Sequence, residues 1–243
     1  MTFDLSSAPI VRLAWERHLG LPADSLVAGS SGGRITQSDD SGSLSFLRLW
    51  DQGVLTGPAE LLRAAEAYSD DELSDHATML RLSRGLGGRG CGTQALYYAD
   101  DLRLKQPEGT VMVSHGNPEA VALEALCPPD DVNDVGLSGL PHKFTVMDSE
   151  EPGGGPLACA AYAEFAGMLA QLGTLVPPKF RRRGLGRRAT EIAAHEALAT
   201  GLIAQWRADV NNAGAHALAI STGFSVAGLQ TSVALQPRQS PHK

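Results

Sequence analysis

Long apolar runs are missing from this 243-residue sequence. None approaches the ~18–20 residues that cross a bilayer as a helix, so no membrane span is expected. The opening stretch, MTFDLSSAPIVRLAWERHLG, carries no basic leader and soon turns amphipathic, so it reads as structure and not as a signal peptide. Cysteine is scarce: Cys91, Cys127 and Cys159 are odd in number, widely spaced and without a C-x-x-C pair. That pattern argues against a disulfide scaffold and a zinc site, and it suits a reducing cytoplasm. A general basic excess is absent as well, the formal net charge being −7, so a long nucleic acid is not the expected partner. With 43% hydrophobic residues, a chain of this length still buries one large core or two small ones.

The basic charge that is present is concentrated. Lys179, Arg181, Arg182, Arg183, Arg187 and Arg188 place six cations within ten residues. Four of them lie in Gln171 to Gly186, QLGTLVPPKFRRRGLG, and the other two follow it directly; the stretch reads as a buried strand, a proline pair, a basic loop and the start of a helix. Gly184 and Gly186 remove side chains that would hold a phosphate away from backbone N–H groups, and the following helix adds the positive end of its dipole. Cations at a helix start oppose that dipole unless an anion is brought to them. A small polyphosphate is therefore the expected ligand. A Walker loop would need Lys-Ser or Lys-Thr where Arg187-Arg188 stand, and a dinucleotide fingerprint would need a third glycine.

Arg181-Arg182-Arg183-Gly184-Leu185-Gly186 matches R/Q-x-x-G-x-G/A, and with its surroundings it resembles the GNAT superfamily of acyl-CoA-dependent N-acetyltransferases. The resemblance runs over about 109–236, through the strand before the loop, the Ala-rich helix to Gly201, a strand ending at Asn211-Asn212, a short helix and Gly223-Phe224. It implies an α/β (α+β) fold with a mixed, mostly antiparallel central sheet flanked by helices. It also implies an acetyltransferase that uses acetyl-CoA and a primary amine in a ternary complex, without metal. Leu175 and Val176 would offer backbone groups to the pantetheine arm where the central strand splays from its neighbour at a bulge, with the N–H near Val176 stabilising the oxyanion. Arg181, Arg182, Arg183, Gly184, Leu185, Gly186 and Arg187 would hold the pyrophosphate, with Asn212 beside the cofactor. The acidic segment Asp130 to Gly139 would wall the acceptor side, and the acidic residues in Asp130 to Asp134 suggest a cationic amine.

Two departures matter. The tyrosine that often protonates the leaving thiolate is replaced by Ala219, and the glutamate that serves some members as base is replaced by Ala170. Ser221 and Glu164 are the candidates for proton handling that remain. Glu164 faces the cleft or the solvent according to strand register, Ser221 serves equally to cap its helix, and His216 reads as a surface residue. A non-catalytic acyl-CoA-binding protein is the alternative function.

The N-terminal part, 1–105, reads as an α+β subdomain whose role is to shape the acceptor pocket or to make an oligomer contact such as a homodimer. It is followed by an acetyltransferase domain over 106–236 and a loose tail over 237–243, with the boundary in Asp100 to Gly109. In it, Pro9 to Leu19 reads as a short helix, Arg34–Gln37 and Leu44–Trp50 read as a hairpin, Pro58 opens a helix, and Ser69 to Glu72 is a capping box. Three look-alikes carry no chemistry. Gly85 to Gly90 contains G-x-G-x-x-G but follows a helix. The acidic Asp70, Asp71, Glu72 and Asp75 beside His76 suit a helix dipole better than a metal. His195-Glu196 has Ala199 where a zincin needs its second histidine.

Overall fold

A computed structural model describes residues 5–27, 33–102, 111–148 and 154–236. The expected tail at 237–243 and most of the boundary segment at 100–109 lie outside the described residues. The elements in order are α1 (Ala8–Leu19), β1 (Ile35–Ser38), β2 (Ser43–Leu49), β3 (Gln52–Gly57), α2 (Ala59–Ala64), α3 (Asp70–Ser74), α4 (His76–Ser83), β4 (Arg89–Ala99) and β5 (Met112–Ser114). There follow α5 (Asn117–Glu124), α6 (Pro129–Val135), β6 (His142–Met147), β7 (Pro156–Phe165), β8 (Leu169–Leu175), α7 (Leu185–Ala199), β9 (Ile203–Asp209), α8 (Ala213–Thr222) and β10 (Ser225–Ala234). The architecture is mixed α/β with mostly antiparallel pairing, as the resemblance implied.

Two compact units emerge. The first takes the described residues of 1–14, 97–207 and 214–225, and the second those of 15–96, 208–213 and 226–243. Each is therefore drawn from both ends of the chain.

In the first unit the strand order is β9-β8-β7-β6-β5, antiparallel except for the parallel pair of β8 with β9. Because side chains alternate across a strand, the register sorts the faces. Cys159, Ala161 and Leu175 join Ala120 and Leu123 of α5 and Leu137 in one buried cluster. Ala160 and Thr174 are opposite partners on the other face, where the Thr174 hydroxyl lies 2.8 Å from that of Thr190 in α7. Ala189, Ala193, Ala194 and Ala197 of α7 are fully buried, so small side chains let this helix lie close on β6, β7 and β8. At α5 the cap is Gly116, whose N–H is taken by the Ser114 hydroxyl, and Asn117 is the first helical residue.

The second unit corrects one expectation. Ile35–Ser38 does not pair with Leu44–Trp50; β1 lies parallel to β3, and the hairpin is β2 with β3 around Trp50-Asp51. β3 is buried along its whole length, so it has no in-out alternation to betray it. β10 then pairs with β2 from Gly228 to Ala234, which is how the C-terminal strand enters a unit built mostly from N-terminal residues. Leu44, Phe46, Leu55, Leu73, Met79 and Val233 form its core.

The acidic cluster of this unit is used in holding helices. Asp70 pairs with Arg34 and Asp71 with Arg48, while Glu72 and Ser69 complete the expected capping box. Asp75 caps α4, accepting from the N–H and hydroxyl of Thr78, and those bonds hold its carboxyl below the usual range. Asp75→Ala should cost about 1 kcal/mol at neutral pH, read as a lower melting temperature. A depressed folded pKa means that the cap is fully present above the unfolded value near ~3.9 and is lost as pH falls through the lower folded one, so the two proteins' stabilities should converge in strong acid.

Candidate functional site

The site begins where two strands part. β8 and β9 pair only from Leu169↔Ile203 to Leu172↔Trp206, although β8 runs on to Leu175 while paired with β7 as far as Leu175↔Cys159. Beyond Leu172 the backbone groups of β8 that face β9 have no strand partner. No register shift interrupts β7 against β8 up to Leu175, the last paired residue, so as far as Leu175 the parting is a loss of pairing on the β9 side. Trp206, at the last shared rung, is 5% exposed, and its indole N–H is buried without a hydrogen-bond partner among the described residues.

Past Val176, Pro177 begins a single 3-10 turn over Pro178–Phe180, and the chain then reaches α7 through two left-handed residues, Arg182 at φ 65° and Gly184 at φ 77°. Gly184 is the N-cap and supplies no side-chain cap, so the first N–H groups of α7, those of Leu185, Gly186 and Arg187, are open to an anion. The need for glycine at 186 is steric: a Cβ there would lie 3.1 Å from the Val176 side chain and 3.9 Å from that of Leu218 in α8. Val176, Gly186 and Leu218 thus meet beside the parted strands. Thr190, fully buried, anchors this helix start by donating to the Gly186 carbonyl at 2.8 Å while its hydroxyl meets that of Thr174.

The cations divide into two kinds. Arg182 and Arg183 are exposed, Lys179 and Arg183 lie over the Phe180 ring, and Arg187 pairs with Glu191 at 2.9 Å. Arg181 is engaged by the protein itself, donating from Nε to the Val176 carbonyl at 2.9 Å and from Nη2 to Asp131 of α6 at 2.5 Å. Leu175 turns its side chain into the α5 cluster, so what it presents to the gap is backbone. Asn212 lies in the turn between β9 and α8, its N–H donating to the Asp209 carbonyl at 2.8 Å.

The positions for proton handling are closed. Ala170 and Ala219 are both fully buried. Glu164 stands directly across from Ala170 on β7, on the same face and exposed, so a carboxylate is present one strand over from the family's position. The Ser221 hydroxyl donates to the Leu218 carbonyl at 3.0 Å, serving its helix. His216 is half-buried, and its Nδ1 lies 2.5 Å from the phenol oxygen of Tyr97 on β4. Burial pushes that phenol's pKa up, and which of the two groups donates is set by the imidazole tautomer. No sequence signal announced this pair, whose members lie 119 residues apart. Among the described residues no group of three or more His, Cys, Asp or Glu side chains is placed to hold a metal ion, and no helix is long and apolar enough to cross a membrane.

Residues 127–224 match the sequence profile described as the acetyltransferase (GNAT) family. An X-ray structure of a Drosophila protein superposes with a TM-score of 0.50 at 17% identity, covering 67% of this chain and 57% of that one, and it shows a shared fold. A GNAT-family acetyltransferase from Colwellia psychrerythraea gives 0.48 at 15% identity, with 79% of this chain and 81% of that chain covered. A GCN5-related N-acetyltransferase-like protein from Streptococcus suis gives 0.48 at 16% identity, with 82% and 87% covered. No curated protein matches the sequence.

Thr190→Val removes the buried hydroxyl from two bonds without changing volume much. It should cost about 1–3 kcal/mol in unfolding free energy, because the Gly186 carbonyl and the Thr174 hydroxyl lose their partner. Hydrogen exchange should speed up at the first turn of α7 more than at its last, and uniform exchange along the helix would show that Thr190 does not hold that turn.

Proposed function

We propose that the chain transfers an acetyl group from acetyl-CoA to a primary amine by direct attack in a ternary complex. The observation that carries this reading is the departure of β8 from β9 directly beside an uncapped helix start. Such a gap accepts an extended amide-bearing arm as if it were another strand. The residues fit the donor: backbone groups of 173–176 face the arm, the N–H groups of 185–187 take the pyrophosphate, and Arg182, Arg183 and Arg187 supply the opposing charge. Asn212 is the further donor-side residue that the family pattern provides. The thioester supplies an acyl group activated toward an amine. The Val176 N–H is then the donor aimed at the developing oxyanion, a role that needs no titratable group.

The acceptor side belongs to α6 and the turn that follows it. Because Asp131 is neutralised by Arg181, the preference for a cationic amine rests on Asp130 and Asp134. Glu164 and Ser221 are the proton-handling candidates, and neither is necessary for turnover. A coenzyme thiol near the ~8.5 of free cysteine leaves without a strong acid. Cys91, Cys127 and Cys159 are all free thiols, which supports a reducing cytoplasm. A second reading, acyl-CoA binding without turnover, is favoured by the full burial of Ala170 and Ala219. Release of free thiol from acetyl-CoA in the presence of an amine panel separates the two.

Acetyl-CoA and CoA, with no added metal, should raise the melting temperature of the chain, since they bind only the native state. Gly184→Val with Gly186→Val should abolish the rise by straining a left-handed residue and crowding Val176; an unchanged rise would refute the donor site. With an accepted amine, the rate should climb with pH toward the amine's own pKa, without an acid limb near neutrality. A dedicated general acid or base contributes ~10²–10⁴-fold, so Glu164→Ala or Ser221→Ala should cost less than about tenfold. A limb near pH 6–7 that disappears in either variant would identify the catalytic group instead.

A further inference from the structure

We infer that Arg181 and Asp131 form a strut between the donor loop and α6, so that affinity for the acyl donor depends on a residue of the acceptor-side wall. The inference rests on the donor-site reading above. Arg181 is the first residue of the family motif, yet its guanidinium is directed at the protein. Nε donates to the Val176 carbonyl and closes the loop over Pro177-Pro178, while Nη2 reaches Asp131 in the first turn of α6.

α6 is seated on β8 at its other end. A Cβ on Gly173 would stand 2.6 Å from the Val135 side chain, so the absence of a side chain there lets the helix down onto the strand. One helix is thereby tied to both the strand that lines the gap and the loop that follows it. The tie has work to do, because the loop holds Arg182 and Gly184 in left-handed conformations. For arginine that conformation costs roughly 1–2 kcal/mol, and it persists only where neighbours enforce it.

Charge sorts the roles further. The Arg181–Asp131 pair is neutral as a unit, and so is Arg187 with Glu191, so attraction for a polyphosphate is left mainly to Arg182, Arg183 and the helix start. Arg181 is then a positioning residue, acting through the conformation of the loop. Both partners are well exposed, at 45% and 39%, so the ion pair itself contributes little and a moderate effect is expected.

The two roles open to Arg181 predict opposite signs for one substitution. If Arg181 is a strut, Asp131→Asn loosens the loop and weakens CoA binding, by about three- to tenfold in calorimetry. Arg181→Met should also weaken it, the double variant no further, and the salt dependence of binding should be unchanged in the double variant, which keeps the net charge of the wild type. Asp131→Glu, which keeps the charge, should bind close to wild type. If Arg181 is instead a phosphate ligand that Asp131 restrains, Asp131→Asn frees it and tightens binding, and Arg181→Met lowers the salt dependence. Tightened or unchanged binding in Asp131→Asn overturns the strut. Absence of CoA binding by the wild-type chain overturns the donor site itself.

Discussion

The structure around the site depends on a ladder that stops early. Parallel pairing of β8 and β9 ends at the Leu172–Trp206 rung. A strand that stays bonded on one side while released on the other presents ordered, unsatisfied amides, which is costly unless water or a ligand meets them. The proline pair after Val176 keeps the released segment from pairing again. The loop and α7 then follow at a fixed distance, because Thr190 links the helix start to Thr174 on the same strand. The gap, the loop and the helix are in this sense one local device, assembled by about twenty consecutive residues and braced from α6.

That locality explains what the sequence disclosed. Glycine spacing, the basic run, the prolines and the Ala-rich helix are adjacent in the chain, and each has a local physical meaning. What stayed hidden is set by long-range register. Glu164 comes to lie across from Ala170 only through the β7–β8 pairing. β1 was assigned to the wrong partner because β3 carries no alternation and lies between it and β2. Arg181 looked like its five neighbouring cations, and only the position of α6, 50 residues earlier, distinguishes it. Likewise Tyr97 gives no hint of His216.

Glycine serves two separate purposes around the gap. At Gly184 it is conformational, a left-handed cap with open space around it. At Gly173 and Gly186 it is proximity: a methyl group would collide with Val135 at the first and press tightly on Val176 at the second. The same residue type in one short stretch therefore answers different demands.

The full burial of Ala219 also bears on how this protein could change over generations. Its carbonyl accepts from the N–H groups of both Gly223 and Phe224, and its methyl group is packed on all sides. A tyrosine there would have to displace its neighbours, with overpacking of typically ~1–3 kcal/mol or more against a fold whose whole stability is only several times that. The family's usual acid is thus not one codon away from this chain. Descendants that needed a faster proton would reach it sooner through residues already at the surface, such as those around Ser221 and Glu164, than by placing a tyrosine at 219.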